Sequence, residues 1–187
     1  VGRARMRALT PPPLDRPLDV PYAGDPARVP MPETRSGSIA PLPADMKDEE
    51  YLKRFLDEFS AAPGKPKVFV DPAGEPLVIS DDLFREGRTG RLKVSKRNRH
   101  LFMPLLAATI KDPDEIWQLW EEYPKGRMTL TRRYVSRVPV EGQDTPGFVL
   151  FDTGKNGWTG VTAMKPDEVE YITKQRRGTL VYRRSKK

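Results

Sequence analysis

Proline placement constrains this chain more than any other feature. Of 20 prolines in 187 residues, ten lie at or before Pro43, as in "LTPPPLDRPLDVPYAGDPARVP". Each proline fixes φ and withholds a backbone donor, so this stretch is barred from helix interiors and central strands. It is left to extended or polyproline II structure. It has few large apolar residues and no period, so it makes no core of its own. Residues 1–45 therefore read as a proline-rich tail or linker, and residues 46–187 as one domain of ordinary size. A sharper reading makes the tail a strap along a partner surface, with Leu14, Leu18, Val20 and Tyr22 as anchors. The opening Val1 reads as the start of a fragment or of a processed chain.

Beyond Asp45 the apolar pattern becomes periodic. Leu52, Phe55, Leu56 and Phe59 recur at the spacing of one helical face, and Asp48, Glu49 and Glu50 suit the first turn of that helix. "KVFVDPAGEPLVIS" predicts a hairpin, with Val68–Val70 against Leu77–Ile79 around the turn "DPAG". "REGRTGR" is too polar and glycine-rich for a core element and reads as a loop. "HLFMPLLAATIKDP" predicts a second helix whose first regular turn forms around Leu101 to Pro104, since proline is tolerated only near a helix start. After it the pattern is mostly strand. "DEIWQLWEEY" is read as one. "RMTLTRRYVSRVPV" alternates, with Met128, Leu130, Tyr134 and Val138 on one face and Thr129, Thr131, Arg133, Val135 and Arg137 on the other. "GFVLFDTGKNGWTGVTAM" predicts two strands joined at an Asn-Gly turn. "PDEVEYITKQRRG" predicts a helix and "TLVYRR" a last strand. The fold class is α+β, helices followed by a four- to five-stranded antiparallel sheet. Trp117, Trp120 and Trp158 are expected to pack in the core or on the sheet, with base stacking the rival reading.

The chain has no cysteine and one histidine, so disulfides and thiolate metal sites are excluded and a zinc site would have to rely on carboxylates beyond that one histidine. No metal site and no cofactor are expected. No apolar run approaches a membrane span, and no membrane partner is expected. Phosphate loops, dinucleotide fingerprints and the G-x-S-x-G elbow are absent. Asp112, Asp114 and Glu115 read as a turn rather than a Mg²⁺ site. The formal charge is +7 and the pI about 9.7, which suits an anionic partner. Cations gather around Lys96, Arg97 and Arg99, and again around Lys174, Arg176, Arg177 and Arg184. The first group precedes a helix N-terminus, where the dipole is already positive, so a bound anion would relieve the conflict. An imidazole side chain can take up or release a proton under physiological conditions, so His100 is a candidate acid or base. Arg133 sits on the polar face of a strand, where a sheet can hold a guanidinium rigidly.

The run from "KVFVDPAGEPLVIS" through "KDPDEIW", "LTRRYVSRV", "DTGKNGWTGVTA" and "QRRGTLVYRR" resembles a phage-borne nuclease family related to barnase, EndoU, the tRNase colicins and RelE. Such domains lie at the C-terminal end of Mu-like head morphogenesis proteins, and the likeness covers about residues 65 to 184. The resemblance implies a barnase/RelE-like fold and metal-independent RNA cleavage by the ribose 2′-hydroxyl. It implies His100 as acid or base, Arg133 as phosphate stabiliser, Thr162 as a phosphate-orienting group and Tyr182 as an aid to proton transfer. Lys96, Arg97, Arg99, Lys174, Arg176, Arg177 and Arg184 would hold the RNA backbone. The last strand offers a tyrosine and arginines, in the RelE style. The implied partners are tRNA or mRNA, with an immunity protein or phage head proteins contacted by residues 1–45, in a phage virion or a bacterial cytoplasm. The rival reading is a non-catalytic head component. Deleting residues 1–44 is expected to spare a ribonuclease and to cripple a strap-anchored structural protein.

Overall fold

The computed structural model describes residues 14, 18, 20–86, 88–142, 147–154, 157–164 and 169–185. The side chains of 96, 97, 123, 147–154, 157–164, 169, 171 and 172 are outside that description. Helix α1 (Asp48–Asp57) forms where the sequence predicts it, and the Glu50 carboxylate accepts from the Lys47 amide to close its N-terminus. Its apolar face, Tyr51, Leu52, Phe55 and Leu56, is buried. Strands β1 (Lys67–Val70) and β2 (Pro76–Ile79) pair antiparallel, with Val70 opposite Pro76. Their turn is locked by Asp71, whose Oδ1 accepts from the amides of Ala73 and Glu75, each at 2.9 Å.

Helix α2 (Met103–Lys111) starts later than the sequence pattern suggests. A 3-10 turn, Lys96–Phe102, precedes it, and Pro104 falls in the first α-helical turn, where its missing donor costs nothing. Five strands follow: β3 (Glu115–Tyr123), β4 (Arg127–Val138), β5 (Gly147–Gly154), β6 (Gly157–Met164) and, after helix α3 (Val169–Gln175), β7 (Thr179–Arg183). They form one antiparallel sheet in the order β6-β5-β4-β3-β7. Among the described residues no helix is long and apolar enough to cross a membrane.

The sheet is a middle layer. On one face Ile116, Tyr134 and Val138 join the core built by α1 and α2. On the other, Trp117, Val135 and Leu180 are sealed by Val29, with Leu14, Leu18, Tyr22 and Met31 packed against them. Thr131 to Ser136 of β4 are consequently buried on both faces. Where a tail or linker is expected, the described N-terminal residues are docked. Tyr22 and Leu180 exchange backbone bonds at 2.8 and 2.9 Å, and the amides of Arg35, Ile39 and Leu42 bond to Arg137, Pro139 and Leu101.

Composition explains this docking. A proline-rich segment keeps its carbonyl acceptors but lacks donors, and guanidinium groups supply them. Arg137 donates to the carbonyl of Pro32 (3.1 Å), Arg176 to those of Val29 and Pro30 (3.2 and 3.1 Å), and Arg183 to that of Leu14 (2.6 Å). The expected tryptophan packing holds for Trp117, which is buried, but not for Trp120, which is 63 % exposed. Trp120 lies on the helix side of β3, beyond the end of the helical layer. Trp158 and the Asn156 turn lie outside the described side chains.

Candidate functional site

The structure separates the residues that the sequence analysis grouped. His100 lies within the 3-10 turn, half-buried, with its ring edge on Tyr51 at 5.0 Å and its Nδ1 buried without a hydrogen-bond partner. That turn packs beside β6, the strand of Thr162. So the sheet does stack against the cationic turn, but Arg133 is not there. It lies on β4 across from Trp117, on the N-terminal-segment side, and donates to the Gln175 carbonyl at 2.7 Å. Tyr182 is on β7, on the helix side. Strands β6 and β7 are opposite edges of the sheet, about 19 Å apart at four inter-strand spacings. His100, Arg133, Thr162 and Tyr182 therefore do not converge.

Two expected RNA contacts are corrected outright. Arg99 is 5 % exposed, with Phe84's ring 5.1 Å from its guanidinium, and it donates to the carbonyls of Val94 and Lys93. Burial lowers its pKa to about 10. Arg176 is 1 % exposed, paired to Glu115 at 2.5 Å and set over Trp117. Both arginines are spent on the fold, because buried guanidiniums need their donors filled. Lys174 and Arg177 are exposed, paired with Glu170 and Glu121 at 2.8 Å each. The side chains of Lys96, Arg97 and Thr162 lie outside the described set.

A different constellation does converge, where "KDPDEIW" leaves α2 for β3. Pro113 breaks the helix at Asp112, and the backbone of Asp114 is stitched into the sheet through Val135 and Arg184. Arg35, from the N-terminal segment, reaches Asp114 at 3.0 Å and Asp112 at 3.3 Å, and also donates to the Asp112 carbonyl. Arg184 lies 3.4 Å from Asp112 and 3.8 Å from Asp114. The Arg137 amide holds the other oxygen of Asp114 at 2.7 Å. An open cleft of about 620 Å³ lies here, lined in part by Arg35, Ser36, Asp114, Glu115, Arg183 and Arg184.

The electrostatics divide the two acids. Asp114 is buried, and desolvation raises its pKa against the pull of the Arg137 amide and Arg35. Asp112 has a side chain 53 % exposed, bracketed by Arg35 and Arg184. Tyr182 stands close by. Burial, then the charge of Asp112, raises its phenol pKa above the usual value, while Arg184 opposes them. The site thus presents a solvent-facing carboxylate, a hydroxyl that keeps its proton at neutral pH, and guanidiniums suited to phosphate oxygens. Among the described residues no group of three or more His, Asp or Glu is placed to hold a metal ion.

Tyr182 and Arg184 are legible as site candidates in the sequence; Arg35, Asp112 and Asp114 are not, the first reading as tail and the others as a turn. The available signal was the pair of acids flanking Pro113, between a helix end and a strand. A family model described as phage-Barnase-EndoU-ColicinE5/D-RelE like nuclease2 matches residues 54–183. No curated protein and no solved structure matches the chain. The matched span includes Asp112, Asp114, Tyr182 and Arg183; Arg35 precedes it and Arg184 follows directly.

Proposed function

This chain belongs to the phage-Barnase-EndoU-ColicinE5/D-RelE like nuclease2 family, and on that premise we propose that it is a metal-independent endoribonuclease acting at the Asp112, Arg35, Arg184 and Tyr182 group. The observation that carries the reading is the grouping of Asp112 with Arg35 and Arg184, with Tyr182 in the range of their charges, beside an open cleft that Arg35 and Arg184 line. Asp112 takes the proton of a ribose 2′-hydroxyl. The 2′-oxygen then attacks the adjacent phosphorus, and the bond from phosphorus to the 5′-oxygen breaks. Tyr182 supplies the proton to the departing 5′-oxygen, and its raised pKa keeps the phenol protonated at neutral pH. Arg35 and Arg184 stabilise the extra charge on the phosphorane. The products are a 2′,3′-cyclic phosphate and a 5′-hydroxyl, and the atoms balance without a cofactor.

Transfer RNA or messenger RNA is the proposed substrate, and a toxin-like domain of a phage head morphogenesis protein the proposed setting, in a virion or a bacterial cytoplasm. An immunity protein or head proteins remain the proposed protein partners. Residues 22–42 are engaged by the domain itself, so a head-protein contact through residues 1–45 would use the outer side of this segment or the residues before it. The test is cleavage of labelled tRNA and mRNA in excess EDTA. EDTA-resistant cutting with cyclic phosphate ends, abolished in Asp112→Asn and Tyr182→Phe but retained in His100→Ala, is the expected result. Cutting that survives both cleft substitutions overturns this site. Absence of cutting by well-folded, inhibitor-free protein favours the non-catalytic head-component reading.

A further inference from the structure

On the helix side of the sheet, the core stops before the strands do. Ile116 is fully buried, Gln118 is paired with Arg132, and Trp120, next on the same face, is 63 % exposed. Leu130 lies directly opposite Trp120 and Met128 lies diagonally beyond it; both are exposed as well. A tryptophan and two large aliphatic side chains thus form an apolar patch on a two-stranded ribbon. The ribbon ends in the turn Pro124–Lys125–Gly126–Arg127, whose cations are exposed. Lys125 and Gly126 hold φ of +74° and +70° there.

The chemistry of the patch selects its occupant. Glu122 shares the face and is exposed, and its carboxylate repels backbone phosphates, so the patch itself offers them no seat. What it offers is an indole flanked by apolar groups, with cations at the nearby turn, in a chain of net charge +7. An unstacked nucleobase with phosphates on either side matches that pattern. Position agrees with chemistry. Ile116 is the register partner of Tyr182, and Trp120 is four residues farther along the same strand and face. The separation is about 13 Å, which a strand of a few nucleotides spans.

We propose that Trp120 is a base-stacking subsite that holds single-stranded RNA a few nucleotides from the cut, with Lys125 and Arg127 taking the flanking phosphates. The proposal deepens the ribonuclease reading and rests on it for the identity of the substrate. A duplex keeps its bases stacked on one another and has no free face to give, so the subsite selects single-stranded loops and ends.

The experiment is fluorescence anisotropy of a labelled 2′-O-methyl oligonucleotide, which lacks the attacking hydroxyl and so reports binding without turnover. Trp120→Ala is expected to weaken binding roughly ten- to a hundred-fold. Trp120→Phe is expected to keep most of the affinity, and the matching duplex to bind more weakly than the strand. On a cleavable oligonucleotide, Trp120→Ala raises KM and leaves kcat unchanged. A chain that binds through Trp120 but never cuts overturns the ribonuclease reading and leaves the subsite standing. Cleavage by wild type with oligonucleotide affinity unchanged in Trp120→Ala overturns the subsite alone. So does a wild-type dimer that Trp120→Ala dissociates with no change in RNA affinity, which assigns the patch to a second copy of the chain. Absence of oligonucleotide binding by wild type overturns both.

Discussion

Asp71, Arg132 and Tyr134 are the same residue types as Asp112, Arg184 and Tyr182, placed in a different solvent. Asp71 is sealed, its Oδ1 filled by two turn amides and its Oδ2 by Arg132 at 3.2 Å and the Tyr134 hydroxyl at 2.6 Å. Burial, then the bond to Asp71, drives the Tyr134 phenol pKa far upward. Every polar atom of that acid has a partner within the fold, and the cluster ties the β1–β2 turn to the sheet. Asp112 instead faces water between two arginines, and Tyr182 is only half-buried. The difference lies in solvent access, since identical groups make a sealed rivet in one place and a solvent-facing cluster in the other.

The sharpest way to break this comparison is Asp112→Asn. Loss of a general base lowers kcat by roughly 10²–10⁴-fold. The melting temperature should stay close to wild type, because the group is half in water; an unaltered kcat would remove Asp112 from the mechanism. Asp71→Ala should do the reverse. Removing the buried carboxylate that Arg132 and the Tyr134 hydroxyl share costs about 3–5 kcal/mol, read as a lower urea midpoint, with activity per folded molecule preserved. Arg35→Ala comes next, with kcat reduced roughly 10²–10³-fold as one phosphate-stabilising donor set is lost. It also discriminates better than deleting residues 1–44. That deletion would bare Trp117, Val135 and Leu180, harming a ribonuclease and a structural protein alike.

Smaller effects sharpen the contrast further. Tyr134→Phe should cost about 1–3 kcal/mol of stability by leaving one acceptor of Asp71 short of a donor, without touching kcat. The alkaline limb of activity should lie above pH ~10, the ordinary phenol value, because Tyr182 is displaced upward. Removing the neighbouring charge in Asp112→Asn should let Tyr182 ionise at lower pH than in wild type. Phenolate absorbance, with Tyr182→Phe as the subtraction control, reads this shift. No shift, or an upward one, would separate Tyr182 from Asp112.

Much of the architecture was legible because its causes are local. The spacing of Leu52, Phe55 and Leu56, the "DPAG" turn, the proline limit on α2 and the alternation of β4 each depend on a few neighbouring residues. The site was far less legible. Counting cations placed Arg99 and Arg176 on an RNA-binding surface, yet an arginine's role depends on what it meets. Arg99 meets Phe84 and backbone carbonyls, and Arg176 meets Glu115 and the proline-rich segment. Trp117 and Trp120, three residues apart in one strand, fall on opposite faces, one covered and one bare.

By itself, then, the sequence determined the helices, the strand periods, the α+β class and the likeness to a nuclease family, all properties carried by contiguous residues. Only the tertiary structure decided which charges are buried in the fold and which face solvent. Arg35 meets Asp112 and Asp114 across 77 and 79 positions of chain. Hydrogen bonding and desolvation act through space, and no reading along the chain measures that distance.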